Sequence, residues 1–169
     1  MLKKILSLLL ILPLLLVFTS PCALADENFT LKSSISVMDN IPKEFYGTWR
    51  VTSELASTNA EATFKQKNVD LWNLSRHANV ITLDNPFSGA KASITIDAVE
   101  NGLIKFKKLG DYDSKKLTDI VQLRLSKDKF TGTNTIILET LSNIDKSVIK
   151  SERATYKLTG EKISGQSIE

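Results

Sequence analysis

From Gly47 onward the chain is patterned in twos, with apolar and polar residues alternating in short runs that turn-forming residues interrupt. Trp49, Val51 and Leu55 alternate with Arg50, Thr52 and Glu54. Ala92, Ile94, Ile96 and Ala98 alternate with Ser93, Thr95 and Asp97. Val121, Leu123 and Leu125 alternate with Gln122 and Arg124, and Ala154, Tyr156 and Leu158 with Arg153, Thr155 and Lys157. Successive side chains of a strand point to opposite faces, so each run predicts a strand with one buried and one wet face. Further strands are expected near Val69 to Arg76, Val80 to Asp84, Leu103 to Lys108 and Phe130 to Leu141, about eight in all. No stretch after Phe45 carries a long 3.6-residue period.

The breaks between runs are short: His77-Ala78-Asn79, Asn85 to Gly89, Asn101-Gly102, Gly110 to Asp113, Lys127-Asp128 and Asn143 to Lys146. Asn101-Gly102 is the sharpest, because both central positions of a type I′ hairpin turn need positive φ. Connections of this length cannot carry a parallel crossover, so consecutive strands should pair antiparallel. The expected fold is all-β, a single antiparallel up-and-down meander of about eight strands. Such a sheet leaves two open edges, and closing them on each other as a barrel removes both. A β-sandwich or half-barrel is the alternative. Only the Ala56 to Lys67 connection is long, which suits a lid or binding loop or a short helix around Glu61 to Lys65.

The first residues follow a different logic. Lys3 and Lys4 precede an apolar run from Ile5 to Phe18, and Ala23-Leu24-Ala25 supplies small residues for cleavage. This is the pattern of a secretory signal peptide spanning residues 1–25. The apolar run has 14 residues, against roughly 20 for a membrane-spanning helix. Export to a periplasm or out of the cell is therefore expected. Residues 26–40 are a tether or an extra edge strand, with Phe29, Leu31, Ile35 and Val37 on odd positions. Ile41 to Phe45 reads as one helical turn capped by Asn40. Residues 41–163 form the barrel domain and 164–169 a tail.

Cleavage would change 22 basic against 19 acidic residues into 20 against 19. A chain so nearly neutral has no field for capturing nucleic acid, and none is expected as a partner. Cys22 is the only cysteine and precedes the cut, so the mature chain would hold neither disulfide nor thiol. Lipidation at Cys22 is not expected, because Thr19 and Pro21 stand where a lipobox needs aliphatic and small residues.

Phe45-Tyr46-Gly47-Thr48-Trp49, a turn leading through Gly-x-Trp into the first strand, resembles the opening motif of the lipocalins and their bacterial lipocalin-like relatives. The resemblance implies a barrel whose end is plugged by Trp49, with Gly47 letting the chain bend close. It also implies an arginine near the last strand packed over the tryptophan ring, a place that Arg153 is positioned to take. Thr118-Asp119 is similar to the start of the family's second motif, with Ile120 where an aromatic is usual and the pair expected at a strand start. The implied function is binding of a small apolar molecule inside the barrel.

Trp72, Phe64, Phe106, Asn134 and Tyr156 are the residues expected to line such a pocket. Trp72 stands in a run apolar on both faces, Asn134 is a polar residue on an apolar face, and Phe64 sits in the long loop. No catalytic set is assigned. His77 is the sole histidine, with Ser75 two residues before it and Asp70 or Asp84 as orienters, and no nucleophile elbow accompanies them. No metal site or cofactor is expected, since Asp111 and Asp113 offer far fewer ligands than calcium needs. Lys105, Lys107, Lys108, Lys115 and Lys116 are read as a wet sheet face, and a peripheral envelope component or a protein as an alternative partner. The pattern thus points to an exported binding protein, with a non-enzymatic envelope interaction or inhibitor module as the alternative and a hydrolase third; enzymatic activity is left open, with the balance against it.

Overall fold

The computed structural model describes residues 37–165 together with 167 and 168. The expected signal peptide and residues 26–36 of the expected tether lie outside the described residues, and the tether's last four residues, Val37–Asn40, form a 3-10 turn rather than an edge strand. Two single-turn 3-10 helices, Val37–Asn40 and Lys43–Phe45, lead into eight strands. These are β1 (Gly47–Thr58), β2 (Lys67–His77), β3 (Val80–Asp84), β4 (Lys91–Glu100), β5 (Leu103–Tyr112), β6 (Lys115–Ser126), β7 (Lys129–Leu141) and β8 (Val148–Ser164). Each pairs antiparallel with its sequence neighbour, and β1 pairs with both β2 and β8. The protein is therefore all-β, one eight-stranded meander closed into a barrel. A two-residue strand, β9 (Ser167–Ile168), adds in parallel to the end of β2.

The period of two decides what faces inward. Trp49 and Val51, Trp72 and Leu74, Ile81 and Leu83, Ile104 and Phe106, Val121 and Leu123, and Ala154, Tyr156 and Leu158 are buried, while Arg50, Lys105, Gln122, Arg124, Lys157 and Thr159 between or beside them are exposed. This apolar-in, polar-out alternation is the reverse of a membrane-spanning barrel. Asn101 and Gly102 take φ values of 49° and 76°, the left-handed pair that a tight two-residue hairpin requires.

One end of the barrel is closed. The 3-10 turns bring Ile41, Phe45 and Tyr46 across it, all buried, and the Trp49 indole N–H donates to the Phe45 carbonyl at 3.0 Å. Behind this plug lies an aromatic cluster. Trp49 meets Phe130 at 5.1 Å between ring centroids, Trp72 stacks on Phe130 at 6.0 Å, and Phe106 meets Phe45 and Trp72 edge-on at 6.1 and 6.4 Å. Edge and offset contacts of this kind add to the area that the rings bury. Gly160 makes the cluster fit, because a Cβ there would enter the Phe130 ring. Gly47, at φ 121°, passes directly against the Ser164 and Gly165 backbone.

Four further expectations change in detail. The cation over the Trp49 ring is Lys162, 5.0 Å from its centroid, not Arg153. The register explains this: β8 extends well past Arg153, Trp49 pairs with Lys162, and Arg153 is an exposed residue opposite Ile137. Residues 61–64 form a turn rather than a helix, with the Thr63 and Phe64 amides both donating to the Ala60 carbonyl. Asn40 caps nothing, since Pro42 precedes the second 3-10 turn without a side-chain cap. Thr118-Asp119 lies inside β6 instead of at its start.

Candidate functional site

Toward the end opposite the aromatic plug, the inward rows turn polar. Ser53 follows Val51 on β1, Asp70 precedes Trp72 on β2, Lys108 follows Phe106 on β5, and Asp119 precedes Val121 on β6. Strand pairing sets them side by side: Lys108 opposes Asp119 as Phe106 opposes Val121, and Asn134 on β7 opposes both Val121 and Tyr156. These five polar residues line one cavity of about 400 Å3, with Trp72, Tyr156, Ile136 and the β1–β2 loop residues Thr63, Phe64 and Lys65. A pocket of this volume lies in the range that small-molecule sites occupy.

A second lobe of about 450 Å3 shares Asp70, Trp72 and Lys108 with the first. Its remaining wall mixes Leu83, Ala90, Ala92, Leu109 and Leu117 with the polar Asn85, Ser88, Lys91, Ser93 and Asp111, and it is edged by Tyr112. The Trp72 ring thus belongs to both lobes, held from behind by Phe130 and Phe106.

The charged groups of the cavity are specifically arranged. Lys108 Nζ lies 2.6 Å from Asp119 Oδ2, and Asp119 is only 5% exposed. Its other oxygen, Oδ1, is buried and receives no hydrogen bond from the protein, and the same holds for Asn134 Oδ1. Asp70 Oδ1 accepts from the Leu71 amide at 2.9 Å and from the Asn85 side-chain amide. Buried polar groups are almost always paired, so acceptors left open on a cavity wall mark a place for a donor.

The loop over the first lobe is tied down at both flanks. Thr63 Oγ1 donates to Glu152 Oε1 at 2.7 Å, and Lys150 Nζ lies 2.9 Å from the same oxygen. The hydrogen bond from Lys150, then that from Thr63, holds the Glu152 carboxyl below the usual glutamate pKa. On the other side the Tyr156 hydroxyl donates to the Lys65 carbonyl at 3.1 Å, and burial raises its pKa.

Of the five residues expected to line a pocket, Trp72, Phe64, Asn134 and Tyr156 meet at the first lobe. Phe106 does not; it is fully buried beneath Trp72. Asp70, Lys108 and Asp119 are additions. Reading Lys108 as part of a wet lysine face was wrong: it shares the parity of Ile104 and Phe106 and so points inward. Lys105 faces out as expected, and outward-facing Lys107 pairs with Asp97 at 3.2 Å. The other face of the Trp72 run carries Val69 and Leu71, which line an outer groove with Phe87 and Ile163.

The acids considered as orienters for His77 lie away from it. His77 stands at the β2–β3 turn, and Ser75 shares a 2.8 Å hydrogen bond with Thr82. Asp70 lies seven residues from His77 on the same strand, roughly 23 Å away. Asp84 opposes Asn73, four residues along from His77. Among the described residues no group of three His, Cys, Asp or Glu side chains is placed to hold a metal ion.

The fold and cavity define a closed eight-stranded antiparallel β-barrel with an open, chemically mixed interior at one end, an architecture compatible with the lipocalin-like barrels. No known protein family, curated protein or solved structure matches the chain.

Proposed function

We propose that the protein is an exported binding protein that holds a small molecule in the open half of a lipocalin-like barrel. The observation that carries this reading is the cavity itself. Its rear wall is a rigid aromatic stack, a tied-down loop covers it, and a buried carboxylate with an open acceptor lies on its side. A barrel that merely needed a core would continue the apolar rows of Phe106 and Val121 instead of replacing them with Lys108 and Asp119. Trp72, Phe64, Ile136 and Tyr156 supply apolar surface, so the ligand presents an apolar body as well as a polar group. Export follows from the charged start, apolar run and small-residue cleavage pattern of residues 1–25.

Native mass spectrometry of the protein purified from its source, followed by denaturing extraction, tests the reading. A discrete small mass that leaves on denaturation is the expected result. A bare polypeptide mass that persists after incubation with envelope lipid extract and small-metabolite extract would sink it.

A further inference from the structure

We propose that the ligand carries a protonated amine, received by the carboxylates of Asp119 and Asp70 beside the Trp72 ring, with its apolar body against Phe64, Ile136 and Tyr156. The proposal rests on the binding reading above and adds the chemistry of the ligand's head group.

Three observations converge. First, Asp119 is a nearly fully buried charge of which only one oxygen is engaged. Lys108 takes Oδ2, and Oδ1 stands without a donor on the cavity wall. A buried carboxylate oxygen needs a donor, and a charged donor satisfies it best. Second, the strand residues of the first lobe carry two carboxylates, Asp70 and Asp119, against one ammonium, Lys108, while Lys65 is an exposed loop residue and the exposed Lys91 and Asp111 of the second lobe offset each other. Third, Trp72 joins both lobes next to Asp70, and an aromatic face attracts a cation.

The competing head groups fare worse. An anionic ligand that shared the Lys108 ammonium would bring a second negative charge beside Asp119, which already lies 2.6 Å from that nitrogen, and into the lobe that also holds Asp70. A purely apolar ligand would exclude water from Asp119 Oδ1 and Asn134 Oδ1 and supply nothing in its place. An ammonium offers three donors, more than the two open acceptors, Asp119 Oδ1 and Asn134 Oδ1, of the cavity wall.

Calorimetric titration of the intact protein with phenethylamine, 2-phenylethanol and 3-phenylpropionate separates the possibilities, because the three share a ring and differ in charge. The uncharged dye N-phenyl-1-naphthylamine reports in parallel whether the cavity accepts an apolar guest at all. Phenethylamine is expected to bind at least tenfold tighter than 2-phenylethanol, with 3-phenylpropionate weakest. Asp119→Asn and Asp70→Asn should each shrink the amine-over-alcohol ratio at least fivefold. If Asp119→Asn fails to fold, the half-buried Asp70→Asn and the ligand series on the unaltered protein still decide. Equal or tighter binding of 3-phenylpropionate, dye binding without amine binding, or an amine preference unchanged in the folded variants overturns the head-group assignment alone. Failure of the dye and all three probes to bind overturns the binding reading with it.

Discussion

The two halves of this barrel are made by the same strands with the same alternation, yet they are different materials. On β5, Phe106 is fully buried in an aromatic cluster, and two residues later Lys108 reaches into an ion pair on a cavity wall. On β6, Val121 and Asp119 repeat the contrast one strand over. The closed half gathers Phe45, Trp49, Trp72, Phe106 and Phe130 around a glycine that lets the rings approach. The open half replaces apolar contact with Ser53, Asp70, Lys108, Asp119 and Asn134 around a cavity. The strands are tied together by the first region, which leaves the second free to keep buried polar groups that a well-packed core would exclude.

The hardest test of that division is Trp49→Ala. Trp49 is fully buried, bonds to the Phe45 carbonyl, packs on Phe130 and lies under Lys162. Its loss should destabilise the fold by about 3–5 kcal/mol, the usual cost of truncating a large buried aromatic. Urea unfolding followed by circular dichroism reads this directly. A cost below about 1 kcal/mol, within the range of an ordinary surface substitution, would mean that the closed half is not the stabilising region.

The next effect separates stability from binding within the open half. Asp119→Leu alone leaves the Lys108 ammonium without its partner beside an apolar side chain, and should cost about 1–3 kcal/mol. Adding Lys108→Met removes the orphaned charge. Replacing a buried ion pair by apolar residues of similar size is often neutral or stabilising, by about 1–4 kcal/mol. The double variant should therefore recover or exceed the parent's urea midpoint while losing amine preference. If it stays as unstable as the single variant, the pair is part of the scaffold and the contrast between halves fails.

Much of this division was written in the sequence. The eight strands, the Asn101-Gly102 hairpin and the Trp49 plug followed from a period of two, turn chemistry and one local motif. The pairing of Lys108 with Asp119 was also within reach. Lys108 lies two residues after Phe106, Asp119 two before Val121, and a hairpin centred on Asp113-Ser114 brings the two apolar residues opposite each other. Grouping Lys108 with its lysine neighbours by composition hid a parity that placed it inside. Arg153 was a different kind of miss. Which cation covers Trp49 depends on how far β8 runs and on its register against β1, with an irregularity between Leu55 and Ser57. That information is shared between distant strands and has no local signature. The cavity volume belongs to the same class, since it reflects how six strands, a loop and the barrel's closure fit together.

The gentlest test addresses the loop over the cavity, and it turns on one carboxylate. Glu152 Oε1 receives Thr63 Oγ1 and lies against Lys150, and these contacts hold its pKa below the usual glutamate value. Between the folded and unfolded pKa values the unfolded chain therefore binds more protons at this site. The stabilising contribution is present above the unfolded value of about 4.3 and is lost as pH falls through the folded one. Hydrogen exchange at the Thr63 and Phe64 amides should accelerate, relative to the intrinsic rate, as pH drops through that window. The same amides in Glu152→Gln should show less of this excess acceleration, because a neutral amide has no charge to lose. The closed half serves as the internal control: amides around Trp49 and Phe130 should keep their protection across the window. If they loosen in step with Thr63, the loop does not open on its own, and the two halves respond to acid as one cooperative unit.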